Sequence, residues 1–391
     1  MDNLEGTPLS YRVIFFQYHL VMSDVQRALE KMGVVTCSLK PNDTTIDSFK
    51  EICSKFRPNW VFSINFSPEI GFLCSLLDVP YVSWTIDPLP VGRVKWLGNA
   101  NRLSCIAFAH NLETVNQLSE LDLDARHMLL AAPATRRAPL VDGRNQESYA
   151  CCASFVGSSM IDEIFELDRC LNVLGGNDLS AQTLMWAQGV VERHGRMSGF
   201  SGVAGLAGID ALPPYLQVLC EADATRLDMV AKLDGALSAI YRQQGVVAML
   251  RYPGPIAVWG DAGWSDCQPH YRGPADHGDE LTQIYCASAV NLDIPRLYQR
   301  QTVTMRIFDI LACGGFLLAE RSDAMEAVFT EGVHLAYYDS HETLPDVIGR
   351  WVADPVGRQN IAAAGRAEVL ARHQIEHRVS VIFEAVAQKG W

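Results

Sequence analysis

The feature that most constrains the fold is an alternation, run through twice, of short apolar segments with amphipathic ones. RVIFFQYH (12–19), VVTCSL (34–39), WVFSINF (60–66), VPYVSWTID (79–87), CIAFA (105–109) and HMLLAA (127–132) are apolar almost throughout. A strand of that kind has both faces covered, as in a parallel sheet. Between these runs apolar residues recur at helical spacing, as with Val25, Ala28, Leu29 and Met32 ahead of Gly33. Asn42 or Asp43 is the expected cap of a helix over 46–56. Strand and helix in alternation define a doubly wound α/β domain. The pattern lapses over 136–150, rich in Arg, Pro, Gly and Asn, which reads as a linker with a solvated basic spot. It restarts at CASFVGS (152–158). Residues 160–245 carry helical periodicity alone and read as a helical insertion; IAVWG (256–260) resumes the alternation. The expected domains are 1–135, then 151–375 with its insertion at 160–245, and a closing helix over 376–391. LDLDAR (121–126) reads as an acidic turn.

Charge and cysteine usage narrow the function. With 32 Lys+Arg against 45 Asp+Glu the net charge is −13. That disfavours a nucleic-acid or anionic-membrane binder, which needs a basic face, but permits a local basic pocket. The eleven cysteines include no C-x-x-C, so reduced thiols in a cytoplasmic protein are expected. No leader-like start and no apolar run of about 18 residues is present, so no membrane span is expected. No G-x-S-x-G occurs, and no strand is followed by G-x-G-x-x-G. Cys267, His270 and His277 lack a fourth ligand, so no metal site is expected.

The most informative stretch is TVTMRIFDILACGGFLLAE (302–320). Thr302 or Thr304 is the expected cap of a helix over 303–313 that ends at Gly314. Arg306 falls in its first turn, where outward amides and the helix dipole favour an anion, and its forked guanidinium suits phosphate. Asp309 lies three residues on, placed to accept from ribose hydroxyls; the competing reading is an Arg306–Asp309 pair on the helix surface. Arginine, helix N-terminus and carboxylate together suit a sugar nucleotide. In WGDAGWSDCQPHYRGPADHGDEL (259–281), Gly260 and Gly263 allow a tight loop close to a phosphate.

YRGPADHGDELTQIYCASAVNLDI, MRIFDILACGGFLLAE, MEAVFTEG and IAAAGRAEVLARHQIEHRV resemble the C-terminal domain of GT-B glycosyltransferases. More narrowly the chain is similar to the spore-maturation, CgeB-like group, some members of which lie near flagellar glycosylation genes. VPYVSWTIDP and SFVGS share that likeness. The resemblance implies two Rossmann-like domains facing a cleft, a nucleotide-sugar donor on the second, an acceptor on the first, and neither metal nor cofactor. The loop around Tyr271, Arg272 and Gly273 would flank the base, with Tyr271 stacking on it or packing its own loop. The segment after Asn291 would face the sugar and diphosphate, where Asp293 and Arg296 contact the sugar or each other. Glu320, at a strand end, would touch the donor or cap the next helix. In the Glu-x7-Glu pattern of many retaining members, Asp309 stands at the second position and Gln301 at the first. Balancing the diphosphate falls to Arg306, with Arg272 or Arg296 beside it. An inverting enzyme needs a base for the acceptor hydroxyl; Asp87, His19 and His110 follow strands and are the candidates, each with a turn or cap role as the alternative. The expected activity is sugar transfer from a nucleotide diphosphate sugar to a hydroxyl of a flagellin-like protein, a polysaccharide or a small molecule. A binding or scaffold protein, and a sugar-nucleotide epimerase or hydrolase, are the alternatives. Exposed apolar positions in the 160–245 helices would mark an acceptor-protein or homodimer surface, with core packing as the default reading.

Overall fold

A computed structural model describes residues 11–16, 21–87, 89, 104–133, 137–138, 146–175, 177–194, 202–203, 206, 212–222 and 229–391. They form two compact units, Met1–Pro133 with His373–Trp391, and Ala134–Arg372. Among the described residues no helix is long and apolar enough to cross a membrane.

The first unit is a parallel sheet of six strands: β1 (Arg12–Phe16), β2 (Val35–Leu39), β3 (Trp60–Ile64), β4 (Tyr81–Thr85), β5 (Cys105–Ala109) and β6 (Asp124–His127), in the order β2-β1-β3-β4-β5-β6. β3, β4 and β5 are buried along their whole length, as strands covered on both faces must be. The Ile46–Phe56 helix is capped by Thr45, not by Asn42 or Asp43. Thr45 and Ser48 form a reciprocal capping box, while Pro41–Asp43 turns as a short 3-10 helix. Ser67 caps Pro68–Leu77, with Pro68 at its first position.

LDLDAR is a turn only over Leu121 and Asp122, the latter at φ +59. Its second half is β6, paired with β5 from Ile106↔Asp124 to Ala109↔His127. An edge strand has one flank free for polar side chains, and Asp124 uses it to pair with Arg126 (2.9 Å) and Lys389 (2.9 Å). The apolar Met128–Ala132 run lies just beyond the strand, buried except for half-buried Leu129. The helix Ile375–Gln388 closes this unit. Its Phe383 packs edge-on against Trp60 and Tyr11, and Arg378 donates to the carbonyls of Leu129 and Leu130.

The second unit holds five parallel strands, β7 (Cys151–Val156), β8 (Ile256–Trp259), β9 (Ser288–Asp293), β10 (Leu317–Glu320) and β11 (Ala336–Tyr338), ordered β11-β10-β9-β7-β8. The long crossover from β7 to β8 carries the expected helices, Ile161–Gly175, Asn177–His194, Pro214–Ala222 and Met229–Met249. The last of these buries Leu233, Leu237, Tyr241 and Met249 in the core around Phe155, Val258 and Leu292. Gly314 ends the Met305–Cys313 helix at φ +77, the left-handed closure for which glycine is suited.

Candidate active site

In the second sheet β7 pairs with β8 on one side and β9 on the other. The strand order therefore reverses between β7 and β9. Ligands of open α/β sheets bind outside the strand C-termini at such a reversal. Gly157 follows β7 there, and Asp293 ends β9. Arg306, in the first turn of Met305–Cys313, reaches back across this point. Its Nη1 donates to Asp293 Oδ1 at 2.8 Å, and its guanidinium carbon sits 5.3 Å from the centre of the Phe155 ring. A Cβ on Gly157 would lie 2.7 Å from Arg306 Nη2, so the glycine makes room for the guanidinium. The Arg306 side chain keeps 20% of its surface exposed, while Asp293 keeps 7%.

The helix behind Arg306 has no side-chain cap. Thr302 is turned back on the preceding turn, where its hydroxyl donates to Gln299 O (2.6 Å). The buried Thr304 hydroxyl has no hydrogen-bond partner among the described residues. The expected threonine cap is thus absent. Gln301 is half-buried in the turn before this helix.

Three expected donor ligands are engaged inside the protein. Asp309 neither pairs with Arg306 nor opens to solvent. It is 8% exposed and forms an ion pair with Arg137 Nε at 3.4 Å. Arg137, in the stretch read as a solvated linker, is itself buried and donates to the carbonyls of His277 and Gly278. Asn291 is 1% exposed; it accepts from Ser154 and donates to the Tyr285 and Phe316 carbonyls, so its amide is engaged within the protein. Glu320 is buried in an ion pair with Arg300 and accepts from Tyr241 OH at 2.7 Å. Burial pushes its carboxyl up despite Arg300 and Tyr241. It does not cap the following helix; Ser322 does.

After β8, the close approach that Gly260 and Gly263 permit is to the chain itself. A Cβ on Gly260 would meet Gly157 O at 2.1 Å, and one on Gly263 would meet Ser159 Oγ at 2.1 Å. Asp261 fastens the two loops by accepting from Ser158 Oγ, Ser159 N and Gly263 N. Burial raises its carboxyl, but these bonds outweigh it and hold the pKa below the usual range. Trp264 is buried, donates to Gly157 O and packs edge-on to Phe155. Tyr271 is half-buried against the core with its hydroxyl on Gly260 O (3.3 Å). Arg272 is exposed, and Gly273, at φ +91, accepts from Gly260 N with open space beside it. Arg296 is half-buried over Tyr298.

In the first unit, the ends of β3, β4 and β5 bring Asn65, Asp87 and His110 to one sheet edge. Asn65, at φ +60, accepts from Ile86 N and Asp87 N through Oδ1 and donates to Asp87 Oδ2 at 2.9 Å. It thereby fixes the Asp87 carboxylate in the turn. His110 is buried, with Nδ1 3.3 Å from Thr85 O. Burial lowers its pKa, partly opposed by Thr85 and Asp87. His19 lies outside the described residues. Gly157, Asn65 and Arg137 were not legible as site residues. Only the glycine in V-G-S-S and the asparagine after a strand carry a local signal, whereas Arg137 finds its partners through the fold.

Two wound parallel-sheet units, one with an arginine-bearing edge at its strand reversal, define the GT-B fold. Residues 237–384 match the family described as glycosyl transferase-like. Among solved structures the chain is similar to sucrose-phosphate synthase from Thermosynechococcus elongatus (TM-score 0.58, 11% identity, covering 97% of this chain and 100% of that one). It is also similar to Anabaena Alr3699/HepE in complex with UDP and glucose (0.53, 10%, 97% and 99%), and to a glycosyltransferase from Rickettsia africae (0.52, 12%, 97% and 99%). No curated protein matches it in sequence.

Proposed function

We propose that the chain transfers a sugar from a nucleoside diphosphate sugar to an acceptor hydroxyl without a metal ion. The observation that carries this is Arg306, seated by Phe155, Gly157 and Asp293 at the β7/β9 reversal beside a helix start with no side-chain cap. Such an edge favours a polyanion, and the similar Alr3699/HepE was solved with UDP. In the transfer the acceptor oxygen bonds to the anomeric carbon. The bond from that carbon to the diphosphate oxygen breaks, and its electron pair leaves with the nucleoside diphosphate. Arg306, Arg296 and the first-turn amides stabilise the charge that develops. The 271–275 loop flanks the base. In an inverting reaction the hydroxyl proton passes to Asp87, oriented by Asn65. A binding role without transfer is the second reading, favoured by the Arg137–Asp309 bridge, which engages the ribose carboxylate expected of a transferase; consumption of donor separates the two.

Arg306→Ala alone would leave the buried Asp293 carboxylate unpaired and cost stability. The informative variant is Arg306→Ala with Asp293→Asn, measured against Asp293→Asn alone. Loss of a charge-assisted contact worth about 3 kcal/mol predicts nucleoside diphosphate binding weaker by about a hundredfold, with circular dichroism unchanged. Equal affinities in the two proteins would remove Arg306 from the donor site.

A further inference from the structure

The helical segment between β7 and β8 reaches the anion edge through one buried residue. Arg242, on Met229–Met249, is 3% exposed. Its Nη1 donates to Ser158 O at 3.0 Å and its Nη2 to Ile294 O at 3.1 Å. Ser158 follows Gly157 in the loop after β7, and Ile294 follows Asp293 at the end of β9. One guanidinium therefore ties together the two loops that seat Arg306. Its carbon lies 5.8 Å from the Phe155 ring, the ring that also carries Arg306.

This placement is unfavourable in itself. Burial, then the like charges of Arg306 and Arg296, push the Arg242 pKa down to about 9, with Asp293 opposing. Its Nε–H has no hydrogen-bond partner among the described residues. An apolar side chain on the same helix face would avoid those costs. What it would not provide is a planar fork with separate donors for two carbonyls, and a lysine ammonium does not supply that geometry either.

We infer that Arg242 is a positioning residue for the donor site: by setting the separation of the Gly157 turn from the Asp293–Arg306 pair, it aims Arg306 at the diphosphate. The inference rests on the donor reading above and gives the helical segment a part in that site.

The test uses the full chain and a panel of ADP, CDP, GDP, UDP and dTDP, titrated by calorimetry. The tightest binder is carried forward together with its parent nucleoside, the latter followed by saturation-transfer NMR. Arg242→Lys keeps the charge and loses one carbonyl tie. Its diphosphate affinity is expected to fall about tenfold, the scale of one hydrogen bond from a charged donor, with nucleoside affinity unchanged. Unchanged diphosphate affinity would overturn the inference, and so would an equal loss for both probes, which is what a purely structural role produces. Should Arg242→Lys not fold, Arg242→Gln is read by the same split. Failure of the donor reading shows separately, as a wild-type protein that binds none of the panel, or as an Arg306→Ala/Asp293→Asn protein that binds like Asp293→Asn.

Discussion

His341 lies against Tyr241, the ring centroids 4.4 Å apart, with the Tyr338 ring 6.2 Å away and Arg300 nearby. Its Nε2 is buried without a hydrogen-bond partner among the described residues. Burial first, and Arg300 second, lower its pKa to about 4, against about 6.5 in an unfolded chain. Between those values the unfolded state binds a proton that the folded state does not. The contribution of His341 is therefore complete above pH 6.5 and declines as the pH falls toward 4, by up to about 3 kcal/mol. Denaturant titrations from pH 7 to 4 should show that decline in the natural chain and a flatter profile in His341→Gln. An equal slope in both would assign the dependence to other groups. The same neighbourhood shows why side chains that look like ligands in the sequence are not all ligands. Glu320 ends its strand as expected, yet Arg300 and Tyr241 meet it from other elements. The placement of Arg306 was readable because it follows from local geometry, in the first turn of Met305–Cys313. The roles of Asp309 and Asn291 depend on Arg137, Ser154 and Tyr285, which only the fold brings near them.

Elements were more legible than residues, because a strand covered on both faces leaves a continuous apolar run. The buried strands β3, β4, β5, β7, β8 and β9 lie where their apolar runs are. The edge did not follow that rule. β6 reads D-A-R-H, and its polar flank disguised it as a turn. β11, three residues long, is too short to leave a pattern. Charge adds to the ladder that holds β6 on β5. Arg126 and Lys389 hold the Asp124 carboxyl down to about 2, with burial partly opposing them. A depressed carboxyl contributes above its unfolded pKa, near 3.9, and that contribution is lost as the pH falls from there toward 2. The side chain lies at the solvent boundary, 27% exposed, where screening keeps its effect to about 1 kcal/mol. Asp124→Asn should lower the melting temperature slightly at pH 7 and leave it unchanged at pH 2. A deficit that persists at pH 2 would mean that the side chain acts by packing rather than by charge.

At the scale of the whole molecule, the chain leaves its first unit at Pro133, builds the second through Arg372, and returns to complete the first with its last helix. That return is tight. Ala132 and His373 share a backbone hydrogen bond, Lys31 pairs with Glu376 at 3.3 Å, and Val379, Ile382, Ala385 and Val386 are buried. Three of those four side chains are large, and fully burying each contributes about 1.5–3 kcal/mol. Together with the Phe383 contacts to Trp60 and Tyr11, this approaches the whole stability of a typical domain, about 5–15 kcal/mol. The Pro355–Arg372 helix, by contrast, packs on Met305–Cys313 within the second unit. A stop codon after Arg372 should therefore unfold the first unit selectively. Calorimetry of the truncated protein is expected to lose the transition belonging to residues 11–133, and limited proteolysis to leave a protected fragment within 134–372. A truncated protein that melts like the full chain would show that the first unit does not need its final helix.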